Sequence, residues 1–447
     1  MKSDNSVKKQ AVWLLSGTVF AAVIQLAQLG VIARSFDARE LGVLAIINAV
    51  LMVAMVLQDM GMSSYLIHRQ EITAREQSTI FWVNVFFGLV TGVLILVLAY
   101  PLAFFYDMPE LTYLFGLVSL NFFILGAMSQ YQAHFVKNKF LVSLAKIEMV
   151  SKLLSFLATI ALIYFLGFTV SAVVIGQFLN ASLRLLFMFT MGDRSWSPIF
   201  AFCKTTFKQA LHYGSFQLGS QTINQLRTQA DTFIIGKFLG VEFLGVYSLA
   251  KELILQPLKL ITPVINRLTL PRFAEKQNST QDVKKLFLKS VFLIINYSSV
   301  VYIFIGLGAF IGVRLLYGSG HEKVAELIPY MLLLGVLRPM GGLTGAISQA
   351  NGTTKKEFMW NVWAGFIVIA IVFISLIGSS LSLVAMSLSI AQLVMSIAVY
   401  PLFVRPVVGV TFREYVLSWG GTAVISLIII FCINYFNISE WLYKTIL

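Results

Sequence analysis

The chain has 447 residues, of which 58% are hydrophobic and 12% charged, with 33 lysines and arginines against 20 aspartates and glutamates and a formal net charge of +13. Soluble domains carry about 25% charged residues, so this composition, with a mean hydropathy of +0.83, excludes a soluble globular enzyme and specifies an all-α polytopic membrane protein. Two cysteines, Cys203 and Cys432, and four scattered histidines, His68, His134, His212 and His321, give neither a disulfide framework nor metal-ligand spacing, and no cofactor is expected.

Windows of about 20 apolar residues, the length that crosses a bilayer core as a helix, predict thirteen spans. They lie at 11–33, 41–67, 79–104, 112–135, 145–166, 168–190, 210–236, 243–269, 286–313, 326–350, 358–378, 380–403 and 412–436. Met1–Gln10 is polar and the first apolar stretch is full length, so no cleavable signal peptide is expected. With the N-terminus in the cytoplasm, 20 basic residues fall on the cytoplasmic side, 6 on the opposite side and seven inside spans. The asymmetry follows the positive-inside rule, and the net charge needs no nucleic-acid partner.

Span 1 carries an uncharged polar face of Thr18, Gln25 and Gln28. At its end, Arg34 followed by Leu41-Gly42-Val43 recurs 203 residues later as Lys237 followed by Leu244-Gly245-Val246. The offset superposes span 1 on span 7 and span 2 on span 8 in the same membrane orientation. Parallel six-helix halves related by an axis along the membrane normal are one transporter plan. The expected organisation is an N-terminal lobe at 1–190, a cytoplasmic linker at 191–209, a C-terminal lobe at 210–405, and a further apolar segment with a short tail at 406–447.

Seven cations lie inside spans: Lys152, Arg184, Arg227, Lys251, Lys259, Arg267 and Arg338. Each costs roughly 2.5–3.5 kcal/mol at the bilayer centre on insertion scales, so such residues point to something anionic held within the membrane. Lys152, Arg184 and Arg267 lie within about seven residues of a cytoplasmic end, roughly 10 Å at 1.5 Å per residue, and can snorkel to the interface. Arg227, Lys259 and Arg338 lie near mid-span and Lys251 somewhat further out; these four are the candidate anion ligands. The acids inside spans are Asp59, Glu148, Asp231 and Glu252. Glu148 precedes Lys152 by four residues, the favourable order for a helical ion pair. Asp231 stands one turn from Arg227 with two roles open. It neutralises the arginine, or either it or Glu252 releases a cation on protonation and so couples transport to a proton gradient. Asp59 is a further coupling or charge-pair candidate.

Span 7 has the clearest polar stripe. Gln217, Gln221, Asn224, Thr228 and Asp231 recur at helical spacing along one face, and Arg227 borders it. Such a stripe serves as interhelical hydrogen bonding or as the wall of a wet cavity, and the charged pair favours the wall. Gln221, Asn224 and Thr228, with Gln25 and Gln28 in span 1, offer neutral donors and acceptors suited to hydroxyl groups. Span 10 contains Leu337-Arg338-Pro339-Met340-Gly341-Gly342. Pro339 cannot donate a backbone hydrogen bond, so a break is predicted beside a mid-membrane arginine. Interrupted helices near the midplane point to transport sites, and span 8 repeats the combination with Lys259 between Pro257 and Pro263.

Several stretches resemble the polysaccharide flippases of the multidrug/oligosaccharidyl-lipid/polysaccharide (MOP) superfamily, specifically the Wzx-type translocases. They are Gln58-Asp59-Met60-Gly61-Met62-Ser63 with Leu66-Ile67-His68-Arg69, Phe81-Trp82-Val83-Asn84, the run from Asp231 to Ala250, and Pro263 through Pro271-Arg272-Phe273. The resemblance covers about 10–405. It implies two six-helix lobes related by a pseudo-two-fold axis around a central cationic cavity, and alternating access in the bacterial inner membrane. The implied cargo is an undecaprenyl-pyrophosphate-linked oligosaccharide, with membrane lipid, a polysaccharide polymerase and a chain-length regulator as partners of a monomer. Arg227, Lys259, Arg338 and Lys251 would hold the pyrophosphate and the polar stripe the glycan. One departure is a thirteenth apolar stretch followed only by Ile438–Leu447, which begins like another helix.

The rival classes are a lipid-linked peptidoglycan precursor flippase, whose cargo also carries a pyrophosphate, and a drug/cation antiporter of the same superfamily, which the deep cations disfavour. A membrane glycosyltransferase would want a longer outer loop than 314–325. An ATP-driven pump would want a P-loop, and Gly236-Lys237 lacks its first glycine and its Ser/Thr. No catalytic residues are expected.

Overall fold

A computed structural model of the chain describes residues 2–69, 72–191, 196–276, 279–350, 354–378 and 380–446. Contacts gather into two compact units, Met1–Gln225 and Leu226–Leu447. The first holds α1 (Lys2–Ser35), α2 (Ala38–Asp59), α3 (Met62–His68), α4 (Ala74–Tyr106), α5 (Glu110–Lys137), α6 (Leu141–Leu166), α7 (Val170–Met191) and the start of α8 (Lys204–Phe238). The second holds the rest of α8, α9 (Val241–Lys276), α10 (Thr280–Leu307), α11 (Ala309–Tyr317), α12 (Glu322–Leu337), α13 (Met340–Ala350), α14 (Thr354–Leu376) and α15 (Leu381–Val399). A π-turn at Tyr400–Val404 leads to α16 (Arg405–Val408), α17 (Phe412–Tyr435) and α18 (Ile438–Ile446). No strand occurs among the described residues.

Among the described residues, eleven helical stretches are long and apolar enough to cross a membrane, with α12 and α13 counted as one stretch, Glu322–Ser348. The other two predicted spans, 210–236 and 243–269, fall in α8 and α9, which have 35 and 36 residues. At 1.5 Å per residue each is about 50 Å long, ample for a hydrocarbon core of about 30 Å. Arg227 and Asp231 in α8, and Lys251, Glu252 and Lys259 in α9, lower their hydropathy. The two most polar spans are therefore the ones carrying most of the deep charge.

Helix starts are set by local chemistry. Asp37 with Glu40, Thr73 with Glu76 and Thr411 with Glu414 form capping boxes at α2, α4 and α17, each supplying partners for N–H groups that the first turn leaves open. In the first unit α4 and α5 pack closely because Gly88 and Gly126 face the opposing backbone. A Cβ at Gly88 would lie 2.5 Å from the Phe122 carbonyl oxygen, and one at Gly126 would lie 2.7 Å from that of Asn84. Small residues at such crossings supply the van der Waals contact that lipid cannot.

Part of the segment expected as a linker is bound to the first unit. Over 196–203 it is strapped to α4: Ile199 N donates to Ser78 Oγ at 3.1 Å, Trp82 Nε1 to the Ile199 carbonyl at 2.9 Å, and Cys203 N to Thr79 Oγ1 at 2.9 Å. Helix α8 then starts at Lys204, with Phe207, Ala210 and Leu211 packed on Met62, Tyr65 and Leu66. At the other end of the chain, α18 presents Trp441 outward, while Ser439 Oγ accepts from the N–H of Phe310 at 3.2 Å.

Candidate anion site in the second unit

Helices α8 and α9 form a hairpin. Leu239 N and Gly240 N both donate to the Ile235 carbonyl, at 2.9 and 3.2 Å, and Gly240 turns the chain at φ 101°, a conformation that glycine adopts without steric cost. The reversal sets Asp231 against Tyr247 and Lys251. Lys251 Nζ lies 2.6 and 2.9 Å from the two Asp231 oxygens, 3.2 Å from the Thr228 carbonyl and 3.4 Å from Thr232 Oγ1, and the Tyr247 hydroxyl donates to the same carboxylate. The two charged side chains are only 11% and 3% exposed. An ammonium has three protons, so Lys251 is fully engaged by protein. The structure thus ties Asp231 to Lys251 across the hairpin, where the sequence suggested Arg227 in the same helix. Lys251, expected as an anion ligand, is thus ion-paired with Asp231 in this structure.

The predicted break in span 10 is present. Helix α12 ends with Arg338 as its C-cap and α13 begins at Met340. Pro339 has no N–H for the Gly335 carbonyl, and the chain continues through tighter bonds from Gly341 N to the Arg338 carbonyl and from Gly342 N to the Pro339 carbonyl, both 3.1 Å. Gly335 matters for a second reason. A Cβ there would lie 2.2 Å from the Tyr302 ring, which crosses α12 at this point so that its hydroxyl can donate to the Ile254 carbonyl of α9 at 2.6 Å. Tyr317 makes a similar bond to the Leu249 carbonyl at 3.2 Å.

Arg338 and Arg227 are brought together. The two guanidinium groups lie within electrostatic reach of each other, and Arg338 within reach of Asp231 as well. Arg227 donates to Met395 Sδ on α15 at 3.3 Å. Lys259 is placed differently, since it pairs with Glu252 two turns earlier in α9, and Gln256 Nε2 donates to that carboxylate at 2.6 Å.

The other candidates lie elsewhere. Asn224 and Thr228 are half-buried and Gln221 is exposed on α8, while the Gln217 and Arg267 side chains lie outside the described residues. In the first unit Gln25 is half-buried, and Gln28 accepts from Lys152 Nζ at 3.4 Å. Glu148, expected to pair with Lys152, is bound by Arg184 of α7 at 2.5 Å, and Arg184 also donates to Gln132 at 3.2 Å. Asp59 accepts from Ser63 Oγ across the turn at Met60 and Gly61, whose φ angles are 45° and 72°, so it bridges the end of α2 to the start of α3. Among the described residues no group of His, Cys, Asp and Glu is arranged to hold a metal ion. Tyr247, Tyr302 and Gly335 were not singled out as site residues. The signal for Tyr247 and Lys251 was their regular one-turn spacing on the helix facing Asp231.

Comparison with known proteins first defines the class. The structure of the lipid II flippase MurJ in an inward closed conformation matches with a TM-score of 0.73 at 13% identity, covering 97% of this chain and 99% of that one. The fold is that of the MOP-superfamily transporters. Residues 31–326 match the family model described as polysaccharide biosynthesis protein. The amylovoran biosynthesis protein AmsL of Erwinia amylovora is 53% identical over 383 residues, 85% of this chain and 99% of its own length. The lipopolysaccharide biosynthesis protein WzxC of Escherichia coli (strain K12) is 26% identical over 410 residues, 91% of this chain and 83% of its own. The chain belongs to the polysaccharide biosynthesis protein family, and the resemblance to Wzx-type flippases is borne out.

Proposed function

We propose that this protein is a flippase that moves polysaccharide repeat units, linked to undecaprenyl pyrophosphate, from the cytoplasmic to the outer leaflet of a bacterial inner membrane. Its N-terminus lies in the cytoplasm in this scheme. The observation that carries the proposal is the helix interruption at Arg338–Pro339 in the second unit, beside which α8 and α9 bring Arg227 and the Asp231–Lys251 pair into the same unit. Two guanidinium groups that repel each other are stabilised by a dianionic group between them, and their planar forks match phosphate oxygens through charge-assisted hydrogen bonds of about 2.7–2.9 Å. Lys251 holds Asp231 and keeps the α8–α9 hairpin in register. Lys259, matched by Glu252, contributes less to the anion than its depth suggested.

The neutral stripe of Gln221, Asn224 and Thr228 is assigned to the glycan, while the prenyl tail stays in lipid. The names of AmsL and WzxC, which place those relatives in amylovoran and lipopolysaccharide biosynthesis, support a polysaccharide cargo over a peptidoglycan precursor; the likeness to MurJ supports the fold alone. The cation excess weighs against a cationic drug as cargo. Competition transport of two lipid-linked oligosaccharides in proteoliposomes tests the division of labour. Arg227→Lys is expected to slow both cargoes, because the fork is lost though the charge remains, and Asn224→Ala is expected to change their ratio. Equal slowing of both cargoes by Asn224→Ala would mean that the stripe only packs.

A further inference from the structure

The strap at 196–203 has an inner and an outer side. Trp196 is the inner anchor, its ring 5.9 Å from that of Phe81 and 5.7 Å from that of Tyr131. The backbone beyond it is tied to α4 at successive residues. Besides the bonds of Ile199 and Cys203, the Ala201 carbonyl accepts from Thr79 Oγ1 at 3.4 Å and the Phe202 carbonyl from Arg75 at 3.1 Å. Ile199, Phe200 and Phe202 are left exposed, Phe200 at 92%. A loose loop would turn such side chains in against the protein. This one cannot without breaking the bonds that hold its peptides, and each donor or acceptor left unpaired carries a cost. The strap therefore presents a fixed cluster of large apolar side chains, the kind of surface that marks contact with a membrane or a partner.

The adjoining face of α4 says which of these covers it. Between Glu76 and Asp107 the helix carries thirty residues without a formal charge. At 1.5 Å per residue that is about 45 Å, the thickness of a bilayer with its headgroups. Trp82 lies six positions inside the Glu76 end, about 9 Å, and so at the boundary between headgroups and acyl chains, where tryptophan is enriched. Phe200 stacks on Trp82 with ring centroids 4.5 Å apart and planes inclined by 18°. One turn further along the same face is Phe86, and Val90, Val93 and Val97 continue it, all exposed on a helix long and apolar enough to cross a membrane. The Trp82–Phe200 stack joins this lipid-facing stripe to the strap. Trp82 Nε1 already has the Ile199 carbonyl as its acceptor, so the indole needs no headgroup. Lys204 and Lys208 follow at once, exposed and one turn apart at the start of α8, and basic side chains beside a membrane surface attract anionic lipid.

We propose that the strap is an interfacial anchor: Phe200, with Ile199 and Phe202, inserts at the boundary between headgroups and acyl chains, and Lys204 and Lys208 bind the headgroups of anionic phospholipid. The test uses the full chain in nanodiscs, whose two leaflets have one composition, so the result does not depend on which side holds the N-terminus. A nitroxide introduced by Phe200→Cys, with Cys203→Ser and Cys432→Ser, is probed by collision with oxygen and with a neutral water-soluble nickel chelate. Its preference for oxygen should exceed by about threefold or more that of a nitroxide at Gln281→Cys, an exposed position in the first turn of α10, because the polar chelate is excluded from hydrocarbon. Adding phosphatidylglycerol to phosphatidylcholine discs should raise the preference about twofold, and Lys204→Gln with Lys208→Gln should cancel that rise. A second reporter keeps Phe200 in place: with the nitroxide on the native Cys203 in a Cys432→Ser background, Phe200→Asp should lower the oxygen preference by about twofold or more. A Phe200 position as open to the chelate as the Gln281 position would overturn the anchor and leave the cluster to a protein partner. An oxygen preference indifferent to phosphatidylglycerol or to the two lysines would overturn the anionic-lipid assignment, and no change at Cys203 would overturn the insertion of Phe200.

Discussion

Replacing Asp231 with Asn should be among the most destabilising single changes near the site. The carboxylate is 3% exposed, lies 2.6 and 2.9 Å from Lys251 Nζ, and accepts from Tyr247. Removing its charge leaves a buried ammonium with neutral acceptors only, the new amide oxygen, the Thr228 carbonyl and Thr232 Oγ1, and breaking a buried pair in this way costs about 3–5 kcal/mol. Lys251→Met should cost a comparable amount, because it leaves the carboxylate buried. Tyr247→Phe removes one hydrogen bond to a charged group and should cost about 1.5–3 kcal/mol. The double variant Asp231→Asn with Lys251→Met removes both charges and should lie closer to the native protein than either single change, since neutral replacement of a buried pair is often tolerated. Unfolding in mixed micelles titrated with SDS measures all four. If the double variant loses the sum of the two single losses, Asp231 and Lys251 are not energetically coupled and the hairpin lock is wrong.

Arg338→Ala should abolish surface polysaccharide in a flippase-deficient strain while protein level, followed by immunoblot, is unchanged; Lys259→Gln should be milder, because Glu252 already matches that lysine and its side chain is 38% exposed. Gly335→Ala should destabilise the protein by about 1–3 kcal/mol through overpacking, since the new methyl meets the Tyr302 ring at 2.2 Å; the same unfolding titration reads it, and no change would show that Tyr302 moves freely. Hydrogen bonds from Thr205 and Thr206 hold the Cys203 thiol at about 7, below its ordinary 9.0. The thiolate forms as pH rises, so maleimide labelling of Cys203 in inside-out vesicles should reach half its limiting rate near pH 7. Thr205→Val should move that midpoint upward, and an unmoved midpoint would remove the hydrogen bond as the cause.

What was readable in the sequence is what depends on local chemistry. Apolar windows marked the spans, and Arg338-Pro339 announced the break between α12 and α13, because a missing N–H acts within one turn. The pairing of Lys259 with Glu252 is also implicit in the sequence, seven residues being two helical turns. Partners brought in by tertiary packing were not accessible in the same way. Asp231 has Arg227 one turn before it, yet the hairpin at Gly240 presents Lys251, and Glu148 likewise has Lys152 one turn on while α7 supplies Arg184. Side-chain choice among several reachable cations is settled by which helix packs nearest. The strap at 196–203 was not accessible because its bonds join backbone groups to Ser78, Thr79 and Trp82, partners more than 100 residues away in sequence.

The most direct test of pyrophosphate-dependent transport uses proteoliposomes containing the native protein and one radiolabelled oligosaccharide carried on undecaprenyl pyrophosphate, on undecaprenyl monophosphate, or on undecaprenol. Translocation should be fastest for the pyrophosphate carrier and slowest for the alcohol, and the difference should collapse in the Arg227→Ala, Arg338→Ala double variant. Equal rates for the pyrophosphate carrier and the alcohol in the native protein would contradict the assignment of the two arginines to the anion.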